Sequence, residues 1–137
     1  MSHSALVMSE FDGEALAEQL GLESWHVCDW GHDEYSRGSW SVPLLGFSPV
    51  HPKVLSTPLS NRFVLAGEHC SVNNSASVHG AAETGIKAAR LMSMNLDSDL
   101  EEPHVVIVGG GASGISAAVE MRELHPKARI TIVEARD

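Results

Sequence analysis

Three glycines and one acidic residue near the end of the chain have the spacing of a dinucleotide-binding fingerprint. Gly109, Gly111 and Gly114 form a Gly-x-Gly-x-x-Gly motif, and Glu134 follows about 20 residues later. In such a motif the first glycine permits a tight turn, the second lets a pyrophosphate approach the backbone, and the third lets a helix pack closely on a strand. A carboxylate at Glu134 would accept both ribose hydroxyls of an adenosine and would repel the 2′-phosphate of NADP. The motif alone leaves FAD and NAD open.

Ala112 and Ser113 follow Gly111 and are predicted to open a helix. The free N–H groups and the positive dipole end of that helix would meet the phosphates of the nucleotide. The alternative is a generic glycine-rich turn. A strand before the motif, a helix after it and a second strand ending at Glu134 together favour the nucleotide site.

The elements that position the motif follow from the pattern of apolar residues. Short apolar runs at 62–66, 104–108 and 129–134 predict buried strands, and helical spacing predicts helices at 77–92 and 112–124. Right-handed crossovers would place the three strands side by side and parallel, with both helices on one face. The predicted fold class is α/β, a partial Rossmann-like FAD-binding domain with a parallel βαβαβ sheet. Its other face would be bare until another chain or further sequence covered it.

The N-terminal part of the sequence is less regular. Residues 12–21 have the pattern of a short packing helix, with Asp12 as the N-cap and Gly21 at the C-cap. From residue 25 to 58, glycines and prolines interrupt short apolar runs, which predicts an irregular, loop-rich region with one or two strands. We therefore expect an N-terminal helical segment at 1–24, a segment at 25–92 that ends with a strand and a helix, a polar linker at 93–103, and the fingerprint at 104–137.

Composition excludes several functions. The formal net charge of -9 argues against a nucleic-acid partner, because neutralising phosphates requires a basic face. Cys28 and Cys70 have no CxxC partner and no metal-ligand spacing, so we expect reduced thiols and no metal site. No stretch approaches the ~20 apolar residues of a membrane span, and residues 1–13 have neither the basic n-region nor the apolar h-region of a signal peptide. The expectation is a cytoplasmic protein that does not contact a membrane.

Three stretches ahead of the fingerprint resemble the flavin-containing amine oxidase family, which includes monoamine and polyamine oxidases, L-amino-acid oxidases and flavin-dependent histone demethylases. Residues 30–41 are similar to the family's Trp…Tyr-Ser-x-Gly-x-aromatic segment, residues 63–68 match its strand ending in Ala-Gly-Glu, and residues 77–89 match its closing helix. The resemblance implies FAD. Some members bind the flavin through a cysteine whose position here is Ser39, so the FAD is expected to be non-covalent.

The order of these segments is the reverse of the family's order. In the family the fingerprint begins the protein and the Ala-Gly-Glu segment ends it, whereas here residues 66–68 precede residues 109–114. This order predicts a permuted or split member. A complementary oxidase chain, self-association or further sequence would then supply the substrate domain, an Arg/Gly-rich turn and a lysine near flavin N5, so the chain would be incomplete as an enzyme by itself.

The resemblance also implies roles for residues outside the fingerprint. Gly67 and Glu68 would lie against the cofactor, with Glu68 receiving ribityl or ribose hydroxyls. The helix that begins near Ser77 and Val78 would direct its N-terminal N–H groups at the pyrimidine edge of the flavin. Trp40 and Ser77 correspond to the two positions that flank the substrate amine, so the pocket would have one aromatic wall and one open wall. The alternative for Trp40 is an ordinary core tryptophan.

We therefore expect an FAD-binding part of a flavin-dependent amine oxidase, as a subunit, a permuted portion or a fragment. The whole enzyme would oxidise a small amine to an imine with reduction of O₂ to peroxide. One alternative is a non-catalytic module that binds FAD or an adenine nucleotide, or assembles with a larger oxidoreductase. Another is a gene fragment without a stable fold.

Overall fold

The computed structural model describes residues 18–21, 23–24, 28–96 and 102–136. The chain divides into two compact units after Ser39. In the first unit, residues 18–20 are helical and the Gly21 N–H donates to the Glu18 carbonyl at 3.1 Å. Gly21 has φ +64°, which confirms the predicted glycine C-cap. The predicted start of that helix, at 12–17, lies outside the described residues.

The second unit contains two long helices and two strands. Its elements in chain order are α1 (Val50–Leu55), a 3₁₀ turn (Glu68–Cys70), α2 (Val78–Asn95), β1 (His104–Val108), α3 (Ala112–Leu124) and β2 (Arg129–Val133). The predicted helix at 112–124 and the strand at 104–108 are confirmed to the residue, and the last strand ends one residue earlier than predicted.

The sheet consists of β1 and β2, which pair in parallel from His104 beside Arg129 to Val108 beside Val133. A parallel pair requires a crossover connection, and α3 provides it. The Ile107 side chain lies close to Gly114 on α3, so alternate residues of β1 face this helix. The βαβ unit around the fingerprint therefore has the predicted form.

The predicted strand at 62–66 is wrong as a member of this sheet. Phe63 forms only an isolated bridge with Ser60, and residues 64–66 belong to no strand. Backbone N–H and C=O groups need hydrogen-bond partners, and at the end of this segment a side chain of α2 provides them instead of a neighbouring strand. The Gly67 N–H donates to Thr84 Oγ1 at 3.0 Å, and the same hydroxyl donates to the Gly67 carbonyl at 2.9 Å. The segment is thereby held against α2, and the full βαβαβ sheet is absent from the described residues.

The strands predicted between residues 25 and 58 are also wrong for the part that the structure describes. Residues 28–58 contain no strand, and residues 50–55 form the short helix α1 instead. Proline fixes φ near the helical value, and Pro52 lies in the first turn, where its missing N–H costs no hydrogen bond. Pro49 occupies the N-cap position. The prolines that suggested loops here start a helix.

The core of the second unit is the contact between α2 and α3. The buried residues of α2 are mostly small: Gly80, Thr84, Gly85, Ala88 and Ala89. A side chain at Gly85 would collide with the Ser113 carbonyl, so this small-residue face of α2 lies in close contact with α3. Met121 of α3 is 1% exposed and is the largest fully buried side chain among the described residues. Arg90 Nε lies 2.7 Å from Glu120 Oε1 and ties the two helices at the surface.

One face of the sheet is uncovered, as the sequence predicted for the larger sheet. Val106, Val108 and Val133 all lie on it and are at least half exposed, with Val108 85% exposed. Helix α3 lies on the opposite side, since Ile107 faces it. In the parts of the chain that the structure describes, no helix has the length and apolar character of a membrane span.

Candidate functional site

The glycine loop between β1 and α3 has the geometry that a dinucleotide fingerprint requires. Gly109 has φ +105°, which side chains rarely permit, and its N–H donates to the Val133 carbonyl at 2.7 Å. A side chain at Gly114 would collide with the Gly109 carbonyl. A side chain at Gly111 would meet nothing within 4 Å, so the backbone there faces open space. The turn and the close helix packing predicted for Gly109 and Gly114 are present.

Glu134 lies beside this loop, at the end of β2. Its Oε2 accepts a hydrogen bond from the Gly110 N–H at 2.6 Å, and its Oε1 accepts from the N–H groups of Ala135 and Arg136 at 2.9 and 3.0 Å. The bond from Gly110, followed by those from Arg136 and Ala135, lowers the pKa of Glu134 below its usual value. The three bonds also fill three of the roughly four acceptor positions of the carboxylate, so acceptance of ribose hydroxyls by Glu134 stays a prediction.

Gly110 is a site residue that sequence reasoning missed. A side chain at this position would come within 3.1 Å of Glu134 Oε2. Because glycine has no side chain, the carboxylate can approach the Gly110 N–H closely enough to accept its hydrogen bond. The available signal was the run of three glycines from 109 to 111, of which the motif explains only the first and last.

The N-terminus of α3 is open to an anion. Gly111 is its N-cap and provides no side-chain hydrogen bond, and no acidic residue lies in the first turn. The N–H groups of Ala112, Ser113 and Gly114 belong to that first turn, where a helix has no internal acceptors for them. Together with the open space at Gly111, these donors fit a pyrophosphate. The residues of the loop thus fit the nucleotide part of FAD.

Glu68 occupies a different environment from the one predicted. Its Oε1 accepts from the Ser41 N–H at 3.0 Å, and its Oε2 accepts from Ser41 Oγ at 2.6 Å and from the Ala76 N–H at 2.5 Å. Burial alone would raise the pKa of Glu68, but these hydrogen bonds outweigh it and hold the pKa below the usual value. Three of the roughly four acceptor positions of the carboxylate are therefore filled within the protein. Binding of cofactor hydroxyls by Glu68 stays a prediction.

The two positions predicted to flank an amine lie at the surface of the second unit. Trp40 is 66% exposed, so its interpretation as a core tryptophan is wrong. Ser77 is the N-cap of α2, where its Oγ accepts from the Gly80 N–H at 3.1 Å and donates to the Asn74 carbonyl at 2.6 Å. Val78, the first residue of α2, is 75% exposed. A cap hydroxyl of this kind stabilises the helix start whether or not a ligand is near.

The predicted site residues form two groups. One is the glycine loop with Glu134, and the other is the set of segments joined at Glu68, which includes the neighbours of Trp40 and Ser77. Gly85 of α2 lies against Ser113 of α3, so the contact between the two helices links the groups.

Cys70, next to the second group, is buried, and burial raises the pKa of its thiol, which disfavours a reactive thiolate. The described residues contain no cluster suited to a metal ion.

Comparison with known proteins gives one matching family. Residues 15–93 match the sequence profile described as "Flavin containing amine oxidoreductase". The chain is similar to polyamine oxidase 4 of Oryza sativa subsp. japonica, with 41% identity over 61% of this chain and 17% of that protein. It is also similar to polyamine oxidase 2 of Arabidopsis thaliana, with 34% identity over 64% of this chain and 19% of that protein. Lysine-specific histone demethylase 1 homolog 3 of Arabidopsis thaliana is 31% identical over 65% of this chain and 5% of that protein.

The matched part of these relatives is small. The chain spans less than a fifth of the length of each of the three. The family match ends at residue 93, ahead of the glycine loop at 109–114. No solved structure matches the chain significantly.

Proposed function

The chain belongs to the family of flavin-containing amine oxidoreductases, and on that premise we propose that it is the FAD-binding part of a flavin-dependent amine oxidase. FAD is the cofactor of this family. In the proposed reaction an amine is oxidised to an imine, water hydrolyses the imine, and O₂ is reduced to hydrogen peroxide. FAD held at the glycine loop would supply the two-electron redox chemistry that links the amine to O₂.

The observation that carries the proposal is the glycine loop with its carboxylate. Gly111 leaves open space beside the first turn of α3, and Glu134 is held against the same loop through the Gly110 amide. These features support a pyrophosphate at the helix N-terminus and a ribose at the end of β2. The nucleotide half of FAD contains both groups.

The amine part of the proposal draws on the relatives and on charge. The similar proteins are named as polyamine oxidases and as a lysine-specific histone demethylase homolog. Amines of both kinds are cations at neutral pH, and the formal charge of -9 on this chain favours their approach. Trp40, with its ring largely exposed, would provide one wall for such a substrate, and Ser77 would leave the opposite wall open.

A complementary oxidase chain is part of the proposal. The uncovered sheet face exposes Val106, Val108 and Val133 beside His104 and Thr131, and parallel sheets are ordinarily covered on both faces. Valines exposed on a sheet face are typical of an interaction site. The substrate domain and the remaining flavin contacts would come from the complementary oxidase chain that covers this face.

The test has two stages. The purified chain is first titrated with FAD and with ADP-ribose by calorimetry, and we expect saturable binding that Gly111→Ala abolishes. The chain is then mixed with any oxidase fragment encoded beside it, and amine-dependent peroxide is measured with polyamines and N-methylated lysine peptides. Yellow flavin absorbance that bleaches on addition of amine supports the oxidase.

The outcomes of this test separate the possible functions. Nucleotide binding without amine-dependent bleaching would indicate a non-catalytic module instead. Absence of nucleotide binding by the chain and by the mixture would refute the proposal.

A further inference from the structure

The carboxylate of Glu68 joins three segments that are far apart in sequence. Ser41 lies 27 residues before it, and Ala76 lies 8 residues after it. Ser41 donates twice, from its N–H at 3.0 Å and from its hydroxyl at 2.6 Å, and Ala76 donates once from its N–H at 2.5 Å. One side chain therefore fixes both of these backbone positions.

The two donors are the direct neighbours of the predicted pocket residues. Trp40 precedes Ser41, and Ser77 follows Ala76. Consecutive Cα atoms are about 3.8 Å apart, so each pocket residue lies one peptide unit away from a hydrogen bond to Glu68. The backbone around Trp40 is thus tied to the start of α2 through a single carboxylate.

Ser77 is held at the start of α2 by its own cap bonds, so the position that depends on Glu68 is that of Trp40. The ring of Trp40 and the side chain of Val78 are both largely exposed, so packing does not fix them. Ala76 has φ +56°, a left-handed conformation that costs free energy for a residue with a side chain. Its N–H makes the shortest of the three bonds to Glu68, and a hydrogen bond to a charged acceptor is strong enough to offset that cost.

We propose that Glu68 is a positioning residue that sets the separation of Trp40 and Ser77, and thereby the width of the amine pocket; the pocket itself rests on the proposed function. Glu68 acts here through Ser41 and Ala76, not by contact with the substrate. Replacing the carboxylate with an amide removes the charge and substitutes donors for part of an all-acceptor group. The loop that carries Trp40 then separates from the start of α2.

The separation can be measured without cofactor or substrate. Trp25→Phe and Trp30→Phe leave Trp40 as the only tryptophan, and Cys28→Ser leaves the buried Cys70 as the only native thiol. Val78→Cys then accepts a bimane label, which tryptophan quenches at short range. The parent chain should be quenched, and Glu68→Gln and Glu68→Ala should lose the quenching while far-UV circular dichroism still reports the helices.

Three further variants make the result specific. Ser41→Ala removes one of the three bonds and should lose part of the quenching. This variant tests the proposal if Glu68→Ala fails to fold. Ser41→Thr keeps the hydroxyl and should restore the quenching. Glu123→Gln makes the same charge change at an exposed position of α3 and should have no effect. An unquenched parent, or full quenching in both Glu68 variants, would overturn the proposal.

The same samples separate this inference from the proposed function. Because Ser41 lies outside the glycine loop and outside the predicted cofactor contacts, Ser41→Ala should still bind ADP-ribose while it loses part of the quenching. A parent that shows the Glu68-dependent quenching but binds no nucleotide would refute the proposed function and leave the positioning role of Glu68 in place.

Discussion

The carboxylate of Glu134 accepts a hydrogen bond from the Gly110 amide at 2.6 Å, so the end of β2 is tied directly to the loop that follows β1. The bond joins the two parts of the fingerprint that would hold the ribose and the pyrophosphate. A single residue thus gives the loop its shape and offers an acceptor to the adenosine half of a dinucleotide.

Removal of the Glu134 carboxylate should weaken nucleotide binding. Glu134→Ala loses the acceptor for the ribose and frees the Gly110 amide, so we expect the affinity for ADP-ribose to fall roughly tenfold or more. Calorimetric titration measures the change, and Glu123→Gln on the exposed side of α3 serves as the control. Equal affinities for the parent and Glu134→Ala would place the nucleotide elsewhere.

Two glycines of the loop should respond differently to the same substitution. Gly111→Ala adds a methyl group to open space, so the melting temperature should stay close to that of the parent while ADP-ribose binding is lost. Gly114→Ala forces a methyl group against the Gly109 carbonyl and should destabilise the fold by about 1–3 kcal/mol. Thermal melts followed by titration separate the two effects. If both variants melted alike and bound alike, the distinct roles assigned to these glycines would be wrong.

The contact between α2 and α3 depends on Gly85. Gly85→Ala places a methyl group against the Ser113 backbone, which cannot move without displacing the first turn of α3. We expect a loss of about 1–3 kcal/mol in the free energy of unfolding, measured by urea denaturation. Met94→Ala, at an exposed position of the same helix, should change it by less than about 0.5 kcal/mol. A Gly85→Ala chain as stable as the parent would contradict this packing.

Ser77 can be tested for its capping role independently of any ligand. Ser77→Ala removes the acceptor for the Gly80 N–H and should cost about 1 kcal/mol of stability. Ser77→Asp keeps an acceptor at the helix N-terminus and should retain most of the stability that the cap contributes. Thermal melts of both variants provide the measurement. A loss in Ser77→Asp as large as that in Ser77→Ala would show that the cap bond contributes little.

The sequence predicted what is local and missed what joins distant segments. The strand at 104–108 and the helix at 112–124 follow from apolar spacing and a glycine motif within one short stretch, and both are confirmed. The run at 62–66 has the same apolar character, but strand formation depends on a neighbour that the run itself does not specify. The bonds to Glu68 come from Ser41, 27 residues before it, and from Ala76, 8 residues after it, and no local pattern of apolar residues predicts either bond.

The hydrogen bonds at Glu68 should make stability depend on pH. Burial raises the pKa of Glu68 and the bonds from Ser41 and Ala76 lower it by more, so the pKa in the folded chain lies below the usual value of 4.5. A carboxylate whose pKa is lower when folded stabilises the protein above its unfolded pKa. That contribution is lost as the pH falls through the folded pKa.

Glu68→Gln should therefore melt below the parent at neutral pH, and the gap should close as the pH falls below 4.5. Melting curves of the two chains over this range measure the gap, and the lowered pKa of Glu134 affects both chains equally. Glu123→Gln should follow the parent throughout. An amide at position 68 cannot titrate. A difference in melting temperature that stays constant with pH would therefore mean that the hydrogen bonds from Ser41 and Ala76 do not depend on the charge of Glu68.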